Sequence, residues 1–181
     1  TRLRFLQGDC CDIPAQSASF DVVVSFETLE HVADHERVYA ELKRVLKPGG
    51  LLLISCPEKK TYSDDPGYSN PFHAHELYLA EFVELNSRHF AHCTFLQQKI
   101  VHGSAICPID APMGSCGFLG AFGGLDGIQL SGRLDGAMYN LAMCSDAVIP
   151  APLVSVFQGR GVHTDLEATL ISLRDPSTRR D

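Results

Sequence analysis

What the chain lacks narrows its chemistry first. Positive charge is in deficit: 15 Lys and Arg stand against 22 Asp and Glu, for a net charge of −7 and a pI near 5.5. Without a basic stripe there is no general electrostatic reason to bind nucleic acid, and a neutral or small-molecule ligand fits better. No apolar run approaches the ~20 residues of a membrane-spanning helix. The opening TRLRFLQGD has no charged-then-apolar leader pattern, so the cytoplasm is the simplest compartment. The seven cysteines (10, 11, 56, 93, 107, 116 and 144) are odd in number and contain no C-x-x-C pair, which argues against structural zinc and a disulfide framework. Position 1 is not Met, which fits either a processed chain or a fragment of a longer, multidomain product; the motifs below favour the fragment.

What is present reads as an α/β domain. At 181 residues, 45% hydrophobic and 20% charged, the chain can bury one core. Leu3 and Phe5 alternate with Arg2 and Arg4 before Gly8 and Asp9, so residues 2–7 read as a short strand running into a loop. FDVVVSF (20–26) is an unbroken β-branched and aromatic run, the pattern of a central parallel strand covered on both faces. Asp34 is an N-cap, and Val38, Leu42, Val45 and Leu46 recur at helical spacing until Lys47-Pro48-Gly49-Gly50. LLLISC (51–56) is a second buried strand, completing a strand, crossover helix and strand.

Further on, residues 57–75 form a linker rich in Pro, Tyr, Asp and Ser. A helix is expected from Leu77 to His89 with Leu79, Phe82 and Val83 on one face, and strands at 93–98 and 139–144. Between those strands, residues 103–137 hold nine of the 15 glycines and read as a long loop or insertion. The spacing of Gly114, Gly117, Gly120, Gly123 and Gly124 imitates a phosphate loop, but no strand precedes it and no capped helix follows it. A flexible loop is the better reading, with Phe118, Leu119 and Phe122 available as an apolar lid. Short extended pieces at 154–157 and 166–173 and a frayed DPSTRRD end complete the chain.

The stretch GDCCDIPAQSASFDVVVSFETLEHVADHERVYAELKRVLKPGGLLLISCP resembles the middle of class I S-adenosylmethionine-dependent methyltransferases. The shared pattern is G-D-x-x-x-(I/L)-P, F-D-x-V-x-S, L-E-H, a helix and L-K-P-G-G before a strand, and it covers residues 3–57. NPFHAHEL (70–77) and LAMCSD (141–146) are similar, more weakly, to methyltransferases associated with surface-polysaccharide synthesis. The resemblance implies a Rossmann-like, doubly wound sheet that binds ligand at the carboxyl ends of its strands. It also implies S-adenosyl-L-methionine as cofactor and a small-molecule or carbohydrate acceptor. A nicotinamide-dependent oxidoreductase would share the sheet but not this pair of flanking motifs.

Carried over residue by residue, the resemblance gives Asp9 the adenine amino group and the Cys10 amide a ring nitrogen. Ser25 and Phe26, at the end of the next strand, flank the methionine part of the cofactor. A turn or capping aspartate is the alternative for Asp9. Glu30 and His31 follow, and His31 stays open between a packing or capping role and a substrate-facing one. Gly49 and Gly50 shape the turn into the strand, and Cys56 and Pro57 close it on the ligand side. His73, His75 and Glu76 form the most reactive-looking cluster, with a histidine suited to take a proton from a hydroxyl, or else simply the polar start of a helix. The candidate bases are thus His73, His75 and His31; a metal reading of His73 and His75 with Asp64 or Asp65 is weaker, and no metal is expected.

The family's E-x-G-x-G-x-G loop and the acidic residue ending its second strand do not occur in this sequence. In the family's strand order, 3-2-1-4-5-7-6, the first two strands lie between those carrying Asp9 and Ser25. The expectation is therefore an N-terminally truncated domain over 1–146, with 147–181 an extension or linker. Such a chain should be unstable alone or rearranged, residues 2–7 pairing beside 20–26. The alternative function is a non-catalytic remnant or interaction module.

Overall fold

The computed structural model describes residues 3–100, 120–124, 127–131, 134 and 136–150. Eight strands and helices follow in order: β1 (Phe20–Ser25), α1 (His35–Val45), β2 (Leu46–Pro57), α2 (Leu79–His89), β3 (His92–Gln98), β4 (Gly120–Gly124), β5 (Gly127–Ser131) and β6 (Tyr139–Ser145). The expected short pieces at 154–157 and 166–173, all of the expected 147–181 extension beyond residue 150, and the lid residues Phe118 and Leu119 lie outside the described residues; Phe122 falls in β4.

α1 begins where the sequence said it should, because the Asp34 carboxylate accepts from the Arg37 amide at 3.1 Å and satisfies a first-turn donor. Its buried residues, His35, Val38, Tyr39, Leu42 and Val45, recur at helical spacing. At Leu46 the backbone turns extended (φ −68°, ψ 140°) and β2 starts at once, earlier than the glycine pair suggested. Gly49 takes φ +72°, where a side chain would be strained. A Cβ on Gly50 would meet the Lys47 carbonyl oxygen at 2.9 Å and the Asp21 carbonyl oxygen at 3.1 Å. The glycine pair thus lets β2 pass close to the start of β1.

The main sheet runs β1-β2-β6-β3. β1 and β2 are parallel, as a crossover through α1 requires, while β6 is antiparallel to both β2 and β3. Three strands therefore point one way and β6 the other. This is the 4-5-7-6 end of the expected strand order, β6 filling the place of the seventh. The register sets Leu52 opposite Cys144, Ile54 opposite Ala142 and Cys56 opposite Asn140, so one face of β2 and β6 is apolar except for the buried Asn140.

On that face both helices pack, giving a core of Leu29, Val38, Tyr39, Leu42, Leu52, Ile54, Cys56, Phe82, Leu85, Ala142 and Cys144. Each fully buried aliphatic or aromatic side chain contributes about 1.5–3 kcal/mol. α2 turns Phe82, Leu85 and Asn86 inward, not the expected Leu79 and Val83, and starts at Leu79. Asn86 is satisfied in the core: its amide donates to the Phe82 carbonyl and its oxygen accepts from the Cys144 thiol.

Two expectations fail for β1. Residues 3–8 form no strand, so nothing described pairs with its outer edge, and Leu3, Phe5 and Leu6 are exposed. Nor is β1 covered on both faces: Val23 packs on the core, while Val22 and Val24 are 49% and 56% exposed. The physical reason is that a six-residue apolar segment cannot hold a strand geometry without a partner of matching register. Instead the chain between Cys11 and Ser19 is held down on α1. Arg37 donates to the Cys11 carbonyl, Glu41 accepts from the Ile13 amide, and Arg44 donates to the Ile13 and Ala15 carbonyls. The glycine-rich segment is also corrected: β4 and β5 pair antiparallel within it.

Candidate active site at the strand ends

The parallel pair β1 and β2 delivers Ser25 and Pro57 to the same end of the sheet, and β6 starts there with Tyr139 opposite Pro57. Beyond Ser25 the chain turns sharply at Glu27, whose φ of +49° is uncommon for a residue with a side chain. The turn is held by the Glu27 amide on the Ser55 carbonyl and by the Ser55 hydroxyl donating to the Glu27 carboxylate at 2.7 Å. A single 3-10 turn, Leu29–His31, follows and buries Leu29 and Glu30.

Glu30 is the centre of the arrangement. Its side chain is 2% exposed, and its Oε2 has no hydrogen-bond partner among the described residues. Its backbone carbonyl accepts from the amides of Ala74 and His75, which fastens the 70–77 loop above it. The His31 Nε2 lies 3.6 Å from Glu30 Oε1. His31 Nδ1 sits 2.9 Å from the Phe72 carbonyl oxygen; a carbonyl only accepts, so Nδ1 is the donor. His73 stands edge-on to His31 with ring centroids 5.0 Å apart. Its Nδ1 donates to the Glu76 carboxylate at 2.5 Å and its Nε2 accepts from the Asn70 amide at 2.9 Å. Tyr62 stacks on the other side of His73, and Tyr139 and Tyr68 lie against Tyr62.

Burial raises the Glu30 carboxyl above the ordinary carboxylate range, and the neighbouring Glu27 charge adds to it. Burial likewise raises the Cys56 thiol, with Glu30, Glu27 and Glu58 nearby, and the Tyr139 phenol. Cys56 is therefore an inert, buried thiol. By contrast Glu58 is buried but satisfied, accepting from Thr61 and from the Leu79 amide at the start of α2.

The residues singled out in the sequence do not all converge. His31 and His73 meet over Glu30. His75 is exposed, and its ring stacks at 4.9 Å on His35, whose Nε2 donates to the Leu29 carbonyl. Asp64 accepts from the Tyr78 hydroxyl and Asp65 pairs with Lys60, so neither joins His73 and His75 in a metal set. Ser25 ends β1 and Phe26 follows it, 52% exposed. Asp9 folds back on its own loop, Oδ1 accepting from the Cys11 amide at 2.8 Å, the turn role that was its alternative reading. No hydrogen bond joins Asp9 or Cys10 to Ser25 or Phe26 among the described residues. Glu27, Asn70 and Tyr62 had no assigned role in the sequence reading. A cavity of about 300 Å³ beside Glu58, Thr61, Leu79, Gln97 and Ala137 does not include the histidine pair.

A mixed α/β sheet with its polar cluster at the carboxyl ends of adjoining parallel strands belongs to the doubly wound class, whose members take ligands at those ends. Residues 1–54 match the family model described as a methyltransferase domain. A probable S-adenosylmethionine-dependent methyltransferase of Mycolicibacterium smegmatis is 42% identical over 87 residues, covering 46% of this chain and 33% of that protein. A sterol 24-C-methyltransferase of Gibberella zeae is 46% identical over 53 residues, covering 29% of this chain and 14% of its own length. Among solved structures, a SAM-dependent methyltransferase of Thermotoga maritima, described as a possible histamine N-methyltransferase, shares the fold. It aligns with a TM-score of 0.54 at 19% identity, covering 78% of this chain and 63% of that one. Over part of its length the chain is thus similar to S-adenosylmethionine-dependent methyltransferases, and it shares their α/β fold. It spans about a third of the length of that mycobacterial protein and of two further mycobacterial relatives. No helix among the described residues is long and apolar enough to cross a membrane.

Proposed function

We propose that this chain takes part in methyl transfer from S-adenosylmethionine to a small-molecule nucleophile, with the acceptor held at the Glu30, His31 and His73 cluster. The observation that carries the reading is the pair of imidazoles over a buried carboxylate, at the ends of parallel strands in a sheet with this strand order. Bound S-adenosylmethionine supplies an electrophilic sulfonium methyl; the protein's part is alignment and proton handling.

The residues present suit two portions of that cofactor. Asp9 keeps Oδ2 without a partner among the described residues, as an acceptor for an adenine amino group must, with the Cys10 amide beside it. Ser25 and the exposed Phe26 supply the methionine-side edge at the end of β1. On the acceptor side, His31 Nε2 faces no hydrogen-bond donor among the described residues and is placed to take the acceptor's proton, while His73 Nε2 can do so once the Asn70 amide turns aside. His75, stacked on His35, is the weakest of the three candidates. Within small-molecule acceptors the polysaccharide-type resemblance favours a sugar hydroxyl, and the rings of Tyr62, Tyr68 and Tyr139 are suited to stack on one.

The test is transfer of label from methyl-tritiated S-adenosylmethionine by the full-length protein, offered a metabolite extract freed of macromolecules and, separately, protein and nucleic acid. Label should enter small molecules, and His73→Ala should lower the rate at least tenfold. Transfer only to macromolecules, no transfer at all, or an undiminished His73→Ala rate would each overturn the proposal.

A further inference from the structure

We infer that Glu30, His31 and His73 form a binding site for a divalent first-row transition-metal ion. One ligand atom from each of the three residues lies within 4.8 Å of the other two. The 3.6 Å between His31 Nε2 and Glu30 Oε1 is close to the spacing of about 3.0–3.4 Å that two ligands have when each lies ~2.1 Å from one ion.

Three independent features point to a cation. Glu30 Oε2 is buried and unpartnered, a costly state for a carboxylate that a bound cation would relieve. Both imidazoles are already oriented as ligands: His31 gives its Nδ1 proton to the Phe72 carbonyl and His73 gives its own to the Glu76 carboxylate. In the neutral imidazoles that outer ring fixes the tautomer and puts the ligating lone pair on Nε2, the arrangement found around metal-bound histidines. Finally, the three residues come from segments 42 positions apart in sequence, joined by the amides of Ala74 and His75 on the Glu30 carbonyl, so the set is built by the fold. The Asn70 amide now donates to His73 Nε2 and must turn aside for an ion to bind there.

Two imidazoles and one carboxylate suit Mn²⁺, Fe²⁺, Co²⁺ or Zn²⁺ better than the all-oxygen preference of Mg²⁺, and they leave positions open for an oxygen of a small molecule. Glu27 lies near enough to influence the Glu30 carboxyl, and its carboxylate is held by Ser55. With an ion in place both imidazoles are ligands, and acceptor acidity would come from the metal. Binding itself depends only on these side chains and is independent of methyl transfer.

A competing set, Asp9, Cys10 and Cys11, is contiguous in one loop, with Asp9 Oδ1 already turned onto the Cys11 amide. It serves as the control. MnCl₂ alone is titrated into chelator-stripped full-length protein, with free Mn²⁺ counted by electron paramagnetic resonance and folding checked by circular dichroism. The expected result is one tight site per chain, weakened at least tenfold by His31→Ala and by Glu30→Gln, and unchanged in Cys10→Ser/Cys11→Ser. His31 is 45% exposed, so its replacement leaves the core intact. Absence of a stoichiometric site overturns the inference, as does binding that survives His31→Ala or is lost in the double cysteine variant.

Discussion

Glu30 carries the heaviest electrostatic load of any single residue in the cluster. Its carboxyl is buried, unpartnered at Oε2 and raised above its ordinary value of 4.5. In the metal-free protein the folded state therefore holds this proton to a higher pH than the unfolded chain does. Between the unfolded value and the raised folded one, the folded state binds more protons, so stability falls as pH rises through that window. Glu30→Gln removes the ionisation while keeping the shape. Thermal melts in chelator from pH 4 to 8 should show the variant gaining on the order of 1 kcal/mol relative to wild type toward the upper end, with a flatter profile. Equal slopes for the two proteins would count against the burial argument. At this scale the sequence was partly legible. Asp34 announced its cap and His31 and His73 were named, but Glu30 entered only as a motif letter. Its importance comes from the 70–77 loop closing over it through two amides on one carbonyl, a contact across more than forty residues that no local pattern encodes.

At the scale of elements, the amphipathic period of α1 and the apolar run of β2 were readable because each is decided by burial against the same core. Ile54 sits at their junction, fully buried on β2 and opposite Ala142 of β6. Ile54→Ala should cost about 2–5 kcal/mol of unfolding free energy in a denaturant titration. A loss below 1 kcal/mol would mean the junction is loosely packed. The inward face of α2 was misread by one helical position, since Leu79 lies at the helix start beside Glu58, while Phe82, Leu85 and Asn86 meet β6 and the core. The strand expected at 2–7 failed for a different reason: strand formation depends on a partner, and alternation in six residues specifies a face but supplies no neighbour. Residues 120–131 show the converse, since a glycine-rich stretch with no alternating pattern nonetheless pairs into a hairpin.

Taken as a whole, the molecule presents half of a familiar sheet order with its polar cluster at the strand ends; among the described residues no strand lies on the outer side of β1, where Phe20, Val22, Val24 and Phe26 are all exposed. The parallel pairing of β1 and β2 was legible because crossovers leave few topologies open, while the full strand order came only with the family resemblance. The loop of Asp9 was legible as a motif, but its tie to α1 through Arg37, Glu41 and Arg44 was not. The central claim is that Asp9 at one point and the β1 end at another contribute to a single S-adenosylmethionine site. The direct measurement is calorimetric titration of S-adenosylmethionine into the full-length protein and its Asp9→Ala variant. The account predicts micromolar binding in the first, weakened about tenfold or more in the second, as loss of a hydrogen bond to a charged acceptor requires. No measurable binding, or equal affinity in the two proteins, would contradict it.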